Sequence, residues 1–269
     1  MCPVPSEPQR IIENPVVAVV GATGGLGWAI SRELARRGAR LVLTGRDPAA
    51  LRERSEELPG SASAVLDLHD PDAGDRLVAA ATAAFGRLDV LVNAAGIVAF
   101  GPLADTPDVV IEELFLTNVI GPLWLLRRCL PLLQASQGTV VHLSAVVAEQ
   151  PLPGMAAYSA TKAALSAADA ALARELRRAG IRVLDVRPPH TNTGLHERPL
   201  HGSVPRLAKG LDPETVARTI ADALAEPKRL QLAAADFAAE APDRVASERI
   251  TPERGTSPSG QSTQGVSHE

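Results

Sequence analysis

Tyr158 is the only tyrosine in the 269-residue chain, and Lys162, four positions on, is one of just three lysines. The i, i+4 spacing stacks both side chains on one face of an Ala-rich stretch, residues 156–179, whose pattern predicts a helix. A free phenol has a pKa of ~10, and a nearby cation lowers such a value by roughly 1–3 units. A tyrosine beside an ammonium is therefore a candidate acid–base catalyst near neutral pH. Taken alone, the same spacing also fits an amphipathic helix with a buried tyrosine and a solvated lysine, so the surrounding elements must decide.

Those elements begin with Val16-Val17-Ala18-Val19-Val20, a β-branched run suited to a strand buried on both faces of a parallel sheet. It enters Gly21-Ala22-Thr23-Gly24-Gly25-Leu26-Gly27 and then a predicted helix over 28–37. Strand, glycine turn and helix N-terminus in that order form a phosphate cradle, because glycines admit close backbone approach and first-turn N–H groups face the anion. A second strand over 40–44 ends in Gly45-Arg46-Asp47-Pro48. In dinucleotide folds an acid just past this strand selects NAD, whereas an arginine accommodates the 2′-phosphate of NADP. Arg46 supplies the cation, so NADP(H) is favoured over NAD(H). Asp47 could hold ribose, but Asp-Pro is also an N-cap followed by a first-turn proline. The same pairing is expected to open helices at Asp70-Pro71, Thr106-Pro107 and Asp212-Pro213.

A third strand over 62–68 ends in Asp67-Leu68, placed to touch an adenine ring, and a helix over 71–85 follows. The fourth strand, 88–92, runs into Asn93-Ala94-Ala95-Gly96, small residues that let backbone and cofactor pack closely. Serial βα units predict the α/β class: a single-domain, Rossmann-like, doubly wound parallel sheet flanked by helices, with its ligand at the strands' carboxyl ends. The domain is expected over 16–237. Residues 1–15 are Pro-punctuated and 238–269 are rich in Ser, Pro, Gly, Glu and Gln, so both are expected to be mobile or disordered tails.

Net charge is −4 with both signs interspersed, which offers no footprint for nucleic acid or an anionic membrane. Cys2 and Cys129 are the only cysteines, suggesting neither a disulfide framework nor a metal site. The N-terminal residues contain no apolar signal-like core, and no apolar run approaches the ~18 residues of a membrane span. A cytoplasmic protein is expected.

Over roughly residues 15–235 the chain resembles the short-chain dehydrogenase/reductases. The motifs are Gly21-x-x-x-Gly25-x-Gly27, Asp67-Leu68, Asn93-Ala94-Ala95-Gly96, Asn118, Tyr158-x-x-x-Lys162 and the segment from Pro188 to Thr193. The resemblance implies a nicotinamide-dependent oxidoreductase acting on a carbonyl/alcohol pair. It makes Tyr158 the proton donor or acceptor at the substrate oxygen. Lys162 would hold the nicotinamide ribose and depress the phenol's pKa. Asn118, within a predicted helix over 108–133, would anchor a water relaying protons to Lys162; otherwise it is a polar residue at a bend before Gly121-Pro122. Cofactor contacts are implied for Gly21, Thr23, Gly25, Leu26, Gly27, Arg46, Asp67, Leu68, Asn93, Ala94, Gly96, Pro188 and Thr193, besides Tyr158 and Lys162; the role of Asn93 is mostly structural.

Two positions depart from that pattern. The family's catalytic serine lies 13 residues before the tyrosine, where this chain has Ala145; Ser144 is one residue earlier. A one-residue slip along a strand reverses the face, so Ser144 is a catalytic candidate only if a bulge or a longer loop over 146–155 turns it. Pro189 replaces the glycine that precedes the carboxamide-binding Thr193, removing one N–H and fixing φ. His190 beside it could touch substrate or only shape the turn.

Residues 194–210 would cover the substrate as a short, shallow lid. Val98, Phe100, Met155 and Leu195 would make an apolar pocket, suiting a hydrophobic carbonyl compound or alcohol. A capped helix over 212–225 and a short strand over 229–234 close the domain. The helices over 108–133 and 156–179 could pair between subunits as a homodimer or homotetramer. The rival reading is a catalytically impaired nucleotide-binding sensor or scaffold, favoured by Ala145 and Pro189 and opposed by the retained Tyr158–Lys162 pair.

Overall fold

A computed structural model describes residues 14–237; both expected tails lie outside these apart from Asn14 and Pro15. The elements in chain order are β1 (Val16–Val20), α1 (Gly25–Arg36), β2 (Arg40–Gly45), α2 (Pro48–Glu57), β3 (Ala62–Val65), α3 (Ala73–Phe85) and β4 (Val90–Asn93). There follow α4 (Asp108–Phe115), α5 (Gly121–Ser136), β5 (Thr139–Leu143), α6 (Ala156–Glu175), β6 (Arg182–Val186), α7 (Pro213–Leu224) and β7 (Gln231–Leu232). All strands pair in parallel in the order β3-β2-β1-β4-β5-β6-β7. The order reverses between β1 and β4, so the switch point expected of a doubly wound sheet lies at their carboxyl ends.

The strands are apolar on both faces because both are covered. Alternate residues Val17, Val19, Leu41 and Leu43 pack with Ile30 of α1 and Val216 and Ile220 of α7. Their neighbours Val16, Ala18, Val20 and Val42 pack with Leu77 of α3 and Leu125, Cys129 and Leu133 of α5. A third cluster, around Tyr158, stands apart from both.

Two of the four expected caps form. Asp47 accepts from Ala49 N and Ala50 N at 2.8 and 3.3 Å, and Asp212 accepts from Thr215 N at 3.1 Å. The other two do not. Asp70 instead accepts from Asp72 N at 2.9 Å in a local turn, and α3 starts later at Ala73. The Thr106 hydroxyl donates back to Pro102 O, and α4 begins with no side-chain cap. α1 also starts earlier than expected, taking Gly25 and Gly27 into its first turn.

The predicted helix over 108–133 is continuous in path but not in winding. Leu116–Ile120 form a π-helical turn between α4 and α5. Contrary to the expectation from unbroken apolar runs, the stretch Asp108–Ser136 is long and apolar enough to span a membrane by length and composition. Half of its most apolar window is buried within the fold, where α5 lies against α3 and the sheet.

Candidate active site

The glycine turn after β1 is shaped by contacts that no side chain could enter. Gly21 has φ +80°, and a Cβ there would lie 2.9 Å from the Ala95 backbone. A Cβ on Gly27 would lie 2.2 Å from Gly21 O, and one on Gly25 would lie 2.7 Å from Thr193 O. The turns after β1, β4 and β6 thus converge on one cradle, with Gly21, Gly25, Gly27 and Thr193 in direct apposition. At the end of β2, Thr23 packs on Gly45. Arg46 is exposed and makes no ion pair among the described residues, whereas the Asp47 carboxylate caps α2. Asp67 is half-buried and accepts from His69 N at 3.0 Å. Leu68 is placed differently from expectation: its side chain is in the core, with its Cβ and carbonyl against Gly121.

Asn93 is buried at the end of β4, its Oδ1 without a partner among the described residues. The next turn brings Gly96 so close that a Cβ there would stand 3.3 Å from Asn118 Oδ1 and 3.5 Å from Lys162 Nζ. Asn118 occupies the π-turn, a distortion often found at functional sites. Both of its donors are used: Nδ2 donates to Ile97 O and Thr161 Oγ1 at 3.0 and 3.1 Å, while Oδ1 accepts from Ile97 N at 2.9 Å. The side chain therefore clamps the β4 turn to α6. Thr161, which completes this clamp, was not singled out in the sequence; its place between Tyr158 and Lys162 was the available signal.

Tyr158 and Lys162 share the buried face of α6. Lys162 Nζ donates to Leu143 O at 2.8 Å and lies 5.8 Å from the Tyr158 ring centroid. Burial lowers the lysine to about 8, opposed by the negative charge of Asp185. Burial pushes the Tyr158 phenol up to about 12. The expected lowering of the phenol is thus absent: burial alone sets the direction, and the Lys162 ammonium is directed to the Leu143 carbonyl.

Val98, Phe100, Met155 and Tyr158 form one buried cluster, with Leu195, Ala145 and Val146 against it. The expected pocket residues therefore meet. Residues 194–210 are strapped over them, with Leu200 N donating to Val98 O at 2.8 Å and Phe100 N to His201 O at 2.9 Å. Pro188 O accepts from Val146 N at 3.1 Å, tying the turn after β6 to that after β5. His190 meets His196 edge-on at 4.7 Å between ring centroids, and burial lowers its pKa.

Ser144 is not placed for the catalytic role. Its hydroxyl is buried and donates to Asp185 Oδ1 and, at 3.2 Å, to Val186 O. Strand alternation turns it toward β6, and no bulge intervenes; Ala145 alone of the two packs beside Tyr158. A cavity of 1340 Å³ lies away from this chemistry, around Asp89, Gly138, Arg182 and Leu224, where β1, β5 and β6 begin.

A parallel doubly wound sheet, a glycine cradle at its switch point and a Tyr–Lys pair beside it define a dinucleotide-binding oxidoreductase. Residues 15–201 match the family model described as short chain dehydrogenase. The chain is 35% identical over 236 residues to the Bos taurus dehydrogenase/reductase SDR family member 7B, spanning 81% of this chain and 73% of that protein. It is 30% identical over 223 residues to an uncharacterized oxidoreductase of Staphylococcus epidermidis, spanning 82% and 95%. A short-chain dehydrogenase from Streptomyces avermitilis superposes with a TM-score of 0.74 at 31% identity, covering 84% of this chain and 90% of that one. An alcohol dehydrogenase from Thermococcus sibiricus, solved with 5-hydroxy-NADP, gives 0.73 at 26% identity, covering 81% and 95%. The chain belongs to the short-chain dehydrogenase family and is an oxidoreductase of the nicotinamide-dependent kind.

Proposed function

We propose that this protein is an NADP(H)-dependent dehydrogenase or reductase of a hydrophobic carbonyl/alcohol pair, with Tyr158 as the acid–base group. The observation that carries this reading is the sole tyrosine, set among Val98, Phe100 and Met155 and paired along α6 with a buried lysine that reaches the Gly96 turn. A dinucleotide suits the cradle: Gly21, Gly25 and Gly27 let the turns after β1, β4 and β6 close to backbone contact around the N-terminus of α1, whose first-turn N–H groups suit a pyrophosphate, and Gly96 lies directly before Asn118 and Lys162. The nicotinamide supplies or accepts the hydride when bound. Tyr158 exchanges the proton at the substrate oxygen, and Lys162 supplies the positive charge that favours its ionised form. Asn118 and Thr161 hold α6 against the β4 turn, fixing where that proton is delivered. Arg46, without an ion-pair partner among the described residues while Asp47 serves α2, supports NADP(H) over NAD(H).

The test is a titration with NADPH and NADH separately, read by nicotinamide fluorescence, followed by a panel of apolar carbonyl substrates. NADPH should bind at least tenfold more tightly than NADH, and Arg46→Ala should remove that preference. Tyr158→Phe should abolish turnover with NADPH affinity retained. Equal binding of the two nucleotides sinks the NADP(H) assignment. Turnover that survives in Tyr158→Phe sinks the acid–base assignment, and binding without turnover of any carbonyl or alcohol returns the sensor reading.

A further inference from the structure

Beneath the reaction centre, the carboxyl-terminal halves of β5 and β6 present a buried layer of charge to α6. His142 and Asp185 are register partners on the two strands. His142 Nδ1 lies 2.5 Å from Asp169 Oδ1, on the α6 face that carries Lys162 two turns earlier. Asp185 accepts the Ser144 hydroxyl on Oδ1 and is forked on Oδ2 by Arg187, whose Nε and Nη2 both stand at 2.7 Å. Arg187 also pairs with Glu149. His142, Asp169 and Asp185 are at most 5% exposed. Lys162 is anchored on the carbonyl of Leu143, the residue between His142 and Ser144, and so hangs over this layer.

We propose that Asp185 is the buried counter-charge that keeps Lys162 protonated, with Ser144 holding the carboxylate in place and Arg187 attenuating its charge. Asp185 is thereby a positioning residue, acting through Lys162 without touching substrate. The inference rests on the proposed function only for the role of Lys162; the charge relation stands on the geometry. Among the described residues, the charged and titratable groups on the elements packed around Lys162 and in the layer below it are few. They are Tyr158 and Asp169 on α6, His142 on β5, and Asp185 and Arg187 on β6, with Glu149 behind Arg187; the β4 turn and the π-turn contribute only neutral groups. Asp169 is turned to His142 two turns along α6, whereas Asp185 is bonded to Ser144, the residue next to the Leu143 whose carbonyl holds Nζ, and so is the acid joined to the lysine's anchor. Its negative charge opposes the desolvation that draws Lys162 down.

The lysine itself can be read. With three lysines in the chain, ¹³Cε-labelled lysine gives few NMR signals, and the one missing from Lys162→Arg identifies Lys162; exposed Lys209 and Lys228 serve as internal standards. Asp185→Asn keeps an acceptor for Ser144 and removes only charge. It should lower the Lys162 titration midpoint by about one unit or more. Arg187→Gln, at a partly exposed side chain that can be changed even if Asp185→Asn fails to fold, should move the midpoint in the opposite direction. An unmoved midpoint in folded Asp185→Asn, or a midpoint that falls in Arg187→Gln, overturns the proposal. Turnover separates the two readings: midpoints that shift as expected in a protein without oxidoreductase activity uphold the counter-charge and refute the proposed function. Lost turnover in Asp185→Asn with the midpoint unmoved does the reverse.

Discussion

Replacing Lys162 with methionine should make the protein more stable at pH 7 while removing its activity. Burial lowers Lys162 from 10.5 to about 8, so holding it charged costs roughly 3 kcal/mol relative to the unfolded chain. Methionine fills similar volume without charge and recovers that cost. It also strands Leu143 O, which accepts from Nζ at 2.8 Å, and an unsatisfied buried acceptor costs about 1–3 kcal/mol. The expected net gain is up to about 2 kcal/mol. The sign with pH follows from the depressed pKa. Below pH ~8 the lysine is charged in both states and wild type bears the full cost. Between about 8 and 10.5 the folded form releases its proton first, so wild type gains stability as pH rises. The gap between variant and wild type should therefore shrink by about 2 kcal/mol between pH 7 and 9.5, before Tyr158 begins to titrate. Urea unfolding at both values, with equal m-values, measures it. A variant that is less stable at pH 7, or a gap that does not change with pH, would refute the buried-charge account of this lysine.

Three further outcomes follow from the geometry. Ala145→Ser places a hydroxyl in the cluster around Tyr158 and should raise turnover at least tenfold, since one oxyanion donor is typically worth roughly 2.7–4 kcal/mol; steady-state kcat on the best carbonyl substrate measures it. Ser144→Ala should instead cost about 1–3 kcal/mol of stability, by leaving a buried carboxylate one donor short, without the hundredfold turnover loss of a missing oxyanion donor. Gly25→Ala drives a Cβ to 2.7 Å from Thr193 O, so the turn after β6 must shift and NADPH affinity should fall at least tenfold by fluorescence titration, with the melting temperature lowered by a few degrees.

The order of strands and the cradle were legible because they rest on short-range signals: unbroken β-branched runs for strands buried on both faces, and glycines at a strand-to-helix junction. Capping was legible only in part. Asp47 and Asp212 precede their helices directly, whereas Asp70 is drawn into a turn with Asp72 and Thr106 into a bond with Pro102; Asp-Pro and Thr-Pro look alike in sequence whichever bond wins. The π-turn around Asn118 left no mark, since one extra residue in a helix does not disturb an apolar pattern that runs along its whole length. The alternation rule placed Ser144 on the face away from the tyrosine, and the β5–β6 geometry agrees. The charged layer was missed for a related reason. His142, Asp169 and Asp185 come from three elements whose own patterns are otherwise apolar or Ala-rich, and only their convergence gives them meaning. An acid inside one strand, Asp185 within Arg182–Val186, and a histidine inside its neighbour, His142 within Thr139–Leu143, were the local anomalies that could have pointed there.

That layer and the missing serine bear on one another. Under the proposed function, Ala145 leaves the substrate oxygen without a hydroxyl from the end of β5, so the polar chemistry at that oxygen would rest on the Tyr158 phenol. The phenol is held up to about 12 by burial, and a lysine that lost its proton would no longer help to ionise it. A chain lacking the serine is thus more sensitive to the charge on Lys162 than one with a second donor. The fold carries an unusual cost below that lysine: a carboxylate on β6, a carboxylate on α6 whose Oδ2 has no partner among the described residues, and a histidine whose Nε2 is likewise unpaired. Apolar residues there would pack at least as well. The two observations together predict an interaction. Asp185→Asn should reduce turnover more in the wild-type background than in Ala145→Ser, where an added donor shares the charge at the substrate oxygen. A double-mutant cycle on kcat measures it: equal losses in both backgrounds would mean that Asp185 acts on structure alone.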